Sequence, residues 1–276
     1  NFSKIAVKEN ISKMVQFYNE QVSDYKLQKQ KNPKLKATDF ISSDATKISW
    51  SSSLIPNLER GNYAIFDEDK ITTSLYRPFF KQNLYYGDKM LHRRGQFNEL
   101  YPNTKVNNCV ISLTGLGASK EFSCLISNVM PDLQVQMNNQ CFPLYYYEER
   151  QKNSPSLFDA AGDSEYIRRD GISDFILERA KKVYGKNVGK EDIFYYVYGI
   201  LHSPDYRTAF ANDLKKMLPR IPLVEDVRDF WKFSKAGRAL AELHINYESV
   251  PPFAGVQVTG ESSGFFTVEK MRYPKK

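Results

Sequence analysis

Residues 193–201 run Ile-Phe-Tyr-Tyr-Val-Tyr-Gly-Ile-Leu, a stretch that is apolar on every side when wound as a helix. Such a helix belongs in an interior and needs other elements packed around it. Both flanks supply them. Upstream, Ser173 can cap a helix carrying Phe175, Ile176, Ala180 and Val183, with Gly185 at its end. Downstream, Ser203-Pro204 reads as an N-cap followed by proline at the first helical position. That helix would turn Tyr206, Ala209, Phe210, Leu214 and Met217 inward and be stopped by Pro219 and Pro222. A further helix over about 224–243 places Val227, Phe230, Trp231 and Leu240 inward.

The chain before this cluster has a different texture. Ile11, Met14, Val15, Tyr18, Val22 and Tyr25 recur at steps of three and four, the pattern of one long amphipathic helix that ends in the polar run 28–36. Pro33 and the serines at 42, 43, 51, 52 and 53 mark a connector, and a boundary is expected near residue 70. From 71 to about 147 the pattern changes to short β-branched and aromatic runs, such as Val106 to Leu113 and Phe142 to Tyr147. Asn107-Asn108 and Asn138-Asn139 are expected in tight turns, since Asn tolerates left-handed backbone angles. Strands are expected again over 250–270. The fold class that follows is α+β, a strand-rich half (71–150) braced by a C-terminal helical cluster (171–245) and preceded by a long N-terminal helix within 1–70.

Composition narrows the function classes. With 276 residues, 41% apolar and 26% charged, the chain has material for one large domain or two small ones, and is neither disordered nor low-complexity. No apolar run approaches the roughly 20 residues of a membrane-spanning helix, and no secretory signal opens the chain, so the cytoplasm is the expected compartment. The start at Asn1 and the basic end at Lys276 suggest a piece of a larger polypeptide. Cys109, Cys124 and Cys141 show no C-x-x-C spacing and are expected as buried reduced thiols.

The net charge of +7 is unevenly spread. Residues 76–120 hold seven basic and two acidic side chains, whereas 121–180 hold five and ten. The basic stretch is interleaved with Tyr76, Phe79, Phe80, Tyr85, Tyr86, Phe97 and Tyr101. Cations beside planar rings suit a polyanion with stackable bases, but on composition alone a solvated surface over an aromatic core is the plainer reading.

Catalytic spellings fail in their context. Gly260-Glu261-Ser262-Ser263-Gly264 matches G-x-S-x-G, but strand-like residues follow and the last histidine, His244, lies upstream. Gly115-Leu116-Gly117 lacks the third glycine of a dinucleotide loop, position 120 being Lys, and reads as a turn between strands. Pro251-Pro252-Phe253 is preceded by Val250, which cannot accept from an exocyclic amine as an adenine methyltransferase requires. Glu68-Asp69-Lys70 has no Pro-Asp partner upstream and reads as a charged turn. His92, His202 and His244 form no metal-ligand spacing and are read as core or surface histidines. These residues support a binding module more than an enzyme, with DNA or RNA as the favoured ligand and a protein partner as the rival.

The run Phe194-Tyr195-Tyr196-Val197-Tyr198-Gly199-Ile200-Leu201-His202-Ser203-Pro204-Asp205-Tyr206-Arg207, continued through Phe210-Ala211-Asn212-Asp213-Leu214-Lys215-Lys216 to Leu218-Pro219-Arg220-Ile221-Pro222, resembles the C-terminal specificity region of Type ISP restriction-modification enzymes. Tyr76-Arg77-Pro78-Phe79 leading to Tyr85-Tyr86, Thr114-Gly115-Leu116-Gly117-Ala118-Ser119-Lys120, and Gln140-Cys141-Phe142-Pro143-Leu144-Tyr145 agree in the same order. Residues 1–70, with Phe17-Tyr18-Asn19, resemble the connector leaving the methyltransferase domain of those proteins. The resemblance implies a single bacterial polypeptide with a nuclease, an ATP-driven helicase-like motor, an adenine-N6 methyltransferase and a target recognition domain. S-adenosylmethionine, ATP and Mg would serve the parent, with no cofactor and no turnover in this segment. Its implied partners are double-stranded DNA and the methyltransferase domain.

On that resemblance, Arg93 and Arg94 are the first candidates for groove or phosphate contact. Arg77, Lys81, Lys89, Lys105 and Lys120 are phosphate candidates, with Ser119 adding a hydrogen bond. Arg77 could equally be a structural ion-pair residue. Arg207, Lys215, Lys216 and Arg220 could meet phosphate or dock onto the methyltransferase. The alternative for the whole segment is a scaffold that supports the methyltransferase without reading bases.

Overall fold

The computed structural model describes residues 3–87, 89–91, 95–103, 106–150 and 165–255. Helix α1 (Lys4–Lys31) starts at Ser3, whose hydroxyl accepts from the Ala6 amide. It buries Val7, Val15, Tyr18, Val22 and Tyr25 along one stripe, with Ile11 and Met14 half-buried at its edge. Two short helices, α2 (Ala37–Phe40) and α3 (Leu54–Glu59), interrupt the connector and cover that stripe with Ala37, Leu54 and Leu58. Polar side chains fix the return path. Asn19 bonds both the amide and the carbonyl of Ala64, at 2.8 and 2.9 Å, and the Tyr18 hydroxyl donates to the Asn62 carbonyl at 2.9 Å.

A charged 3-10 turn, Glu68–Lys70, leads into β1 (Ile71–Arg77), which pairs antiparallel with β2 (Phe80–Tyr85). Val7, Ile71 and Tyr85 share a small apolar cluster that fastens α1 to this hairpin. After α4 (Phe97–Leu100) come β3 (Val110–Leu113), β4 (Cys124–Ser127), β5 (Met130–Pro131) and β6 (Gln140–Pro143). The strand orders are β2-β1-β5 and β4-β3-β6. β3 and β4 are buried at every position, which is why both read as continuous apolar runs. β7 (Tyr145–Glu149) and β8 (Tyr166–Asp170) form a separate ribbon.

Helix α5 (Asp174–Tyr184) is capped by Ser173 and ends at Gly185, as its sequence predicts, although Phe175 and Val183 are exposed. α6 (Lys190–His202) is the apolar helix and lies at the centre of the largest core, against β3, β4 and α9 (Val227–Ile245). Tyr196, Tyr198, Leu201 and Phe230 are almost wholly buried there. At about 1.5–3 kcal/mol for each large side chain buried, this cluster makes the largest single apolar contribution among the described residues. α6 and α9 approach backbone to backbone. A Cβ on Gly237 would sit 2.0 Å from the Tyr195 carbonyl oxygen, so neither Gly237 nor the facing Gly199 can carry a side chain without moving a helix.

The structure corrects four expectations. The helix after Ser203-Pro204 breaks into α7 (Pro204–Ala209) and α8 (Ala211–Leu214), because Phe210 leaves helical geometry at φ −109°, ψ 18°. Only Tyr206 of its supposed inward face is buried, so little packing holds a longer helix together. Asn107-Asn108 forms no tight turn. The buried Asn108 amide instead bonds the Leu100 and Tyr145 carbonyls and the Cys109 and Tyr145 amides, and the first strand of its sheet begins only at Val110. Residues 250–255 are not strand, and 256–270 lie outside the described residues, as does the Gly260–Gly264 spelling. Of the cysteines, all free, only Cys124 is fully buried. Burial pushes all three thiols up, Cys124 to about 11. No described helix is long and apolar enough to cross a membrane.

Candidate nucleic-acid interface

Three segments distant in sequence meet at the exposed end of the strand-rich half. The first is the tip of the β1–β2 hairpin, where the register slips between Leu75 and Arg77 and Phe79 takes a left-handed φ of 56°. The second is the β3–β4 turn, residues 114–123. The third is the loop 131–139. The Asp132 amide donates to the Leu75 carbonyl at 2.9 Å, and the Gly115 amide donates to the Met137 carbonyl at 3.1 Å. A Cβ on Gly115 would lie 2.0 Å from the Asn138 carbonyl oxygen, so glycine is what lets turn and loop touch. Val135 is the loop's apolar anchor, buried with Leu75 and Leu125.

This cluster carries Arg77 against Asp132 at one end of the loop, and Ser119, followed by Lys120, against Met137 at the other. The Arg77 guanidinium stacks over the Tyr76 ring at 4.0 Å, donates to the Tyr76 carbonyl at 2.6 Å and pairs with Asp132 at 3.2 Å. Both partners of the pair are well exposed, 44% and 38%, so it stabilises the fold by at most about 1 kcal/mol. A phosphate could take the guanidinium from Asp132 at little cost. The Ser119 hydroxyl faces the Met137 sulfur at 3.7 Å, and Lys120 is exposed with no ion pair among the described residues. Gln134 and Asn138, which the sequence did not nominate, stand exposed on the same loop and bond each other. Their only signal was the Asn138-Asn139 pair, and Asn138 does take a left-handed φ of 51°.

Other candidates are committed to the protein. Lys81 donates to the Ile245 carbonyl at 3.2 Å and to Glu248 at 3.3 Å, and lies over the Tyr247 ring, where it caps the C-terminus of α9. Lys89 donates to the Tyr63 carbonyl and joins the strand half to the N-terminal part. Arg93, Arg94, Lys105 and His92 lie outside the described residues.

Arg207 caps the other central helix. Its Nε donates to the Leu201 carbonyl at 2.7 Å, and its Nη2 lies 3.4 Å from His202 Nδ1 and 3.5 Å from Cys124 Sγ. Arginine only donates, so His202 Nδ1 accepts and the ring proton sits on Nε2, 3.2 Å from the Cys124 sulfur. Burial, with Arg207 and His244 nearby, lowers the His202 pKa to about 4. His244 is also lowered by burial, its Nδ1 accepting from the Tyr198 hydroxyl at 2.6 Å while that hydroxyl accepts from the Ile126 amide at 3.1 Å. The two histidine rings lie 5.5 Å apart, a proximity their spacing does not reveal. Among the described residues no group of three or more His, Cys, Asp and Glu could hold a metal ion.

Lys215, Lys216 and Arg220 form a second exposed basic surface, beside the exposed Phe210, Met217 and Leu218. Tyrosines hold the segment beneath it. The Tyr206 hydroxyl donates to the Arg220 carbonyl at 2.9 Å, Tyr196 to the Pro222 carbonyl at 2.6 Å, and Tyr184 to the Val224 carbonyl at 2.7 Å.

Comparison with known proteins places the chain in a family. Among curated proteins none matches the chain. A nuclease-deletion mutant of the Type ISP restriction-modification enzyme LlaGI, in complex with a DNA substrate mimic, is 33% identical over 92% of this chain, with a TM-score of 0.73. The ATP-dependent Type ISP enzyme LlaBIII bound to DNA is 31% identical over 92%, with a TM-score of 0.72. The DrdV-DNA complex is 27% identical over 91%, with a TM-score of 0.74. The chain spans only 21%, 15% and 22% of those three chains. The Type ISP C-terminal specificity domain family matches residues 1–276, and this chain belongs to that family.

Proposed function

We propose that this domain recognises a specific sequence in duplex DNA on behalf of a single-polypeptide, ATP-dependent restriction-modification enzyme. The observation that carries the reading is the loop cluster, where Arg77, Ser119 and Lys120 stand beside exposed amides on backbone pinned to a buried sheet. Cations there would fix register on phosphates, and polar loop side chains would read base edges. Family membership and the DNA-bound state of the solved relatives support it. The parent would carry the nuclease, the helicase-like translocase and the adenine-N6 methyltransferase, and S-adenosylmethionine, ATP and Mg would act in those parts. With a DNA partner of this kind, the cytoplasm would be its compartment.

A second reading rests on the α7–α8 surface. Apolar Phe210, Met217 and Leu218 interleaved with Lys215 and Lys216 suit a protein partner better than phosphate alone, and the methyltransferase domain is the proposed partner. Exchanging this domain between two parent enzymes separates the two readings. A recognition domain carries target preference with it, whereas a scaffold restores activity at the recipient's original target. Binding to cognate and random duplexes across a salt series gives the complementary readout, a steep slope from phosphate contacts and a sequence-dependent offset from readout.

A further inference from the structure

Resting on the DNA-recognition reading above, we propose that Gln134 and Asn138 read an A·T base pair in the major groove, with Leu133 against the thymine methyl. Both amides are exposed and neither is needed by the fold's interior. Their loop is fixed without them. The Gln134 backbone N–H donates to Asp132 Oδ1 at 2.9 Å, the Asn139 backbone N–H donates to the Leu133 carbonyl at 2.9 Å, and Met137 and Asn138 adopt left-handed φ angles of 60° and 51°. The side chains are joined to each other, Gln134 Nε2 donating to Asn138 Oδ1 at 3.0 Å.

That bond leaves a defined pair of groups unsatisfied by one another. Asn138 Nδ2 remains to donate and Gln134 Oε1 remains to accept. Adenine offers the complement in the major groove, N7 to accept and the N6 amine to donate. Guanine offers two acceptors there, which would set its O6 against the Gln134 carbonyl oxygen. Leu133, 57% exposed and adjacent in sequence, is an apolar side chain without a core to serve, and the thymine of the same base pair carries the methyl that would cover it. Because the two amides hold each other, less side-chain freedom is lost on binding. Arg77, on the Asp132 end of the loop, would set the register on the backbone.

The test uses the full polypeptide that carries this domain, with its cognate duplex and copies in which each adenine in turn is 7-deaza-adenine and each thymine in turn is uracil. The wild-type protein should lose roughly 5- to 100-fold in affinity at one 7-deaza position. The double variant Gln134→Ala/Asn138→Ala should be blind to that change, and Leu133→Ala should no longer distinguish thymine from uracil in the same base pair. An unchanged salt slope in these variants shows that they remain folded and on the backbone, since no charge was removed. Variants that keep the wild-type profile at every position overturn the assignment, as does a cognate duplex with no such position. A wild-type protein without any sequence preference overturns instead the recognition reading on which it rests.

Discussion

The crossing of α6 and α9 and the loop cluster at residues 114–139 are made of opposite materials. At the crossing, glycine meets glycine, aromatic rings meet, and tyrosine hydroxyls find partners, as where Tyr196 meets Phe230 at 4.9 Å and Tyr198 joins Ile126 to His244. At the loop cluster the backbone carries the contacts that fix the fold, and the exposed side chains of Arg77, Lys120, Gln134 and Asn138 make at most surface contacts, Arg77 with Tyr76 and Asp132 and Gln134 with Asn138. The difference separates two jobs. Changes at the crossing should cost stability, and changes at the cluster should cost affinity or specificity while the domain stays folded.

The largest expected effect is at the crossing. Gly237→Ala puts a Cβ 2.0 Å from the Tyr195 carbonyl oxygen, and separating the helices should cost about 3 kcal/mol or more, read as a lower midpoint in urea unfolding. Tyr198→Phe comes next. It strands the buried Ile126 amide and the His244 nitrogen, for about 1–3 kcal/mol by the same measurement. An effect this large at either site, together with unchanged DNA affinity per folded molecule, would sharpen the division of labour.

The third effect is set by pH. His202 is held to a pKa of about 4, below the ordinary 6.5, so the unfolded chain takes up its proton first as pH falls. Stability from this group is complete above pH 6.5 and is lost between 6.5 and 4. Discounted for the partial exposure of the ring, the loss is about 1–2 kcal/mol, and His202→Gln should flatten that part of the stability curve.

The smallest effect on stability belongs to the cluster. Arg77→Ala removes an exposed ion pair and should change unfolding free energy by less than about 1 kcal/mol. The same variant should weaken DNA binding on all sequences alike and reduce the salt slope by about 1. If Arg77→Ala instead unfolded the domain, the comparison between the two regions would break.

Local signals in the sequence located most of the helices. Ser173, Gly185 and Ser203-Pro204 stand at helix ends because capping and φ restriction act over a few residues, whereas the stop expected at Pro219 comes earlier, at Leu214. The apolar stretch at 193–201 marked the core for the same reason. What stayed hidden was pairing across distance. Arg77 finds Asp132, Lys81 finds the end of α9, and Arg207 finds the Leu201 carbonyl, contacts that no periodicity records. Two of those three partners are backbone carbonyls, whose position exists only once the fold does. Gln134 and Asn138 escaped notice because a loop without period shows its direction only when its backbone is in place.

A structure of the parent polypeptide on its cognate duplex tests the central claim most directly. The account expects residues 114–123 and 131–139 at the groove, with Arg77 or Lys120 within salt-bridge distance of a phosphate and the α6–α9 crossing remote from DNA. A duplex lying elsewhere, with the loop cluster packed against another domain or open to solvent, would contradict it.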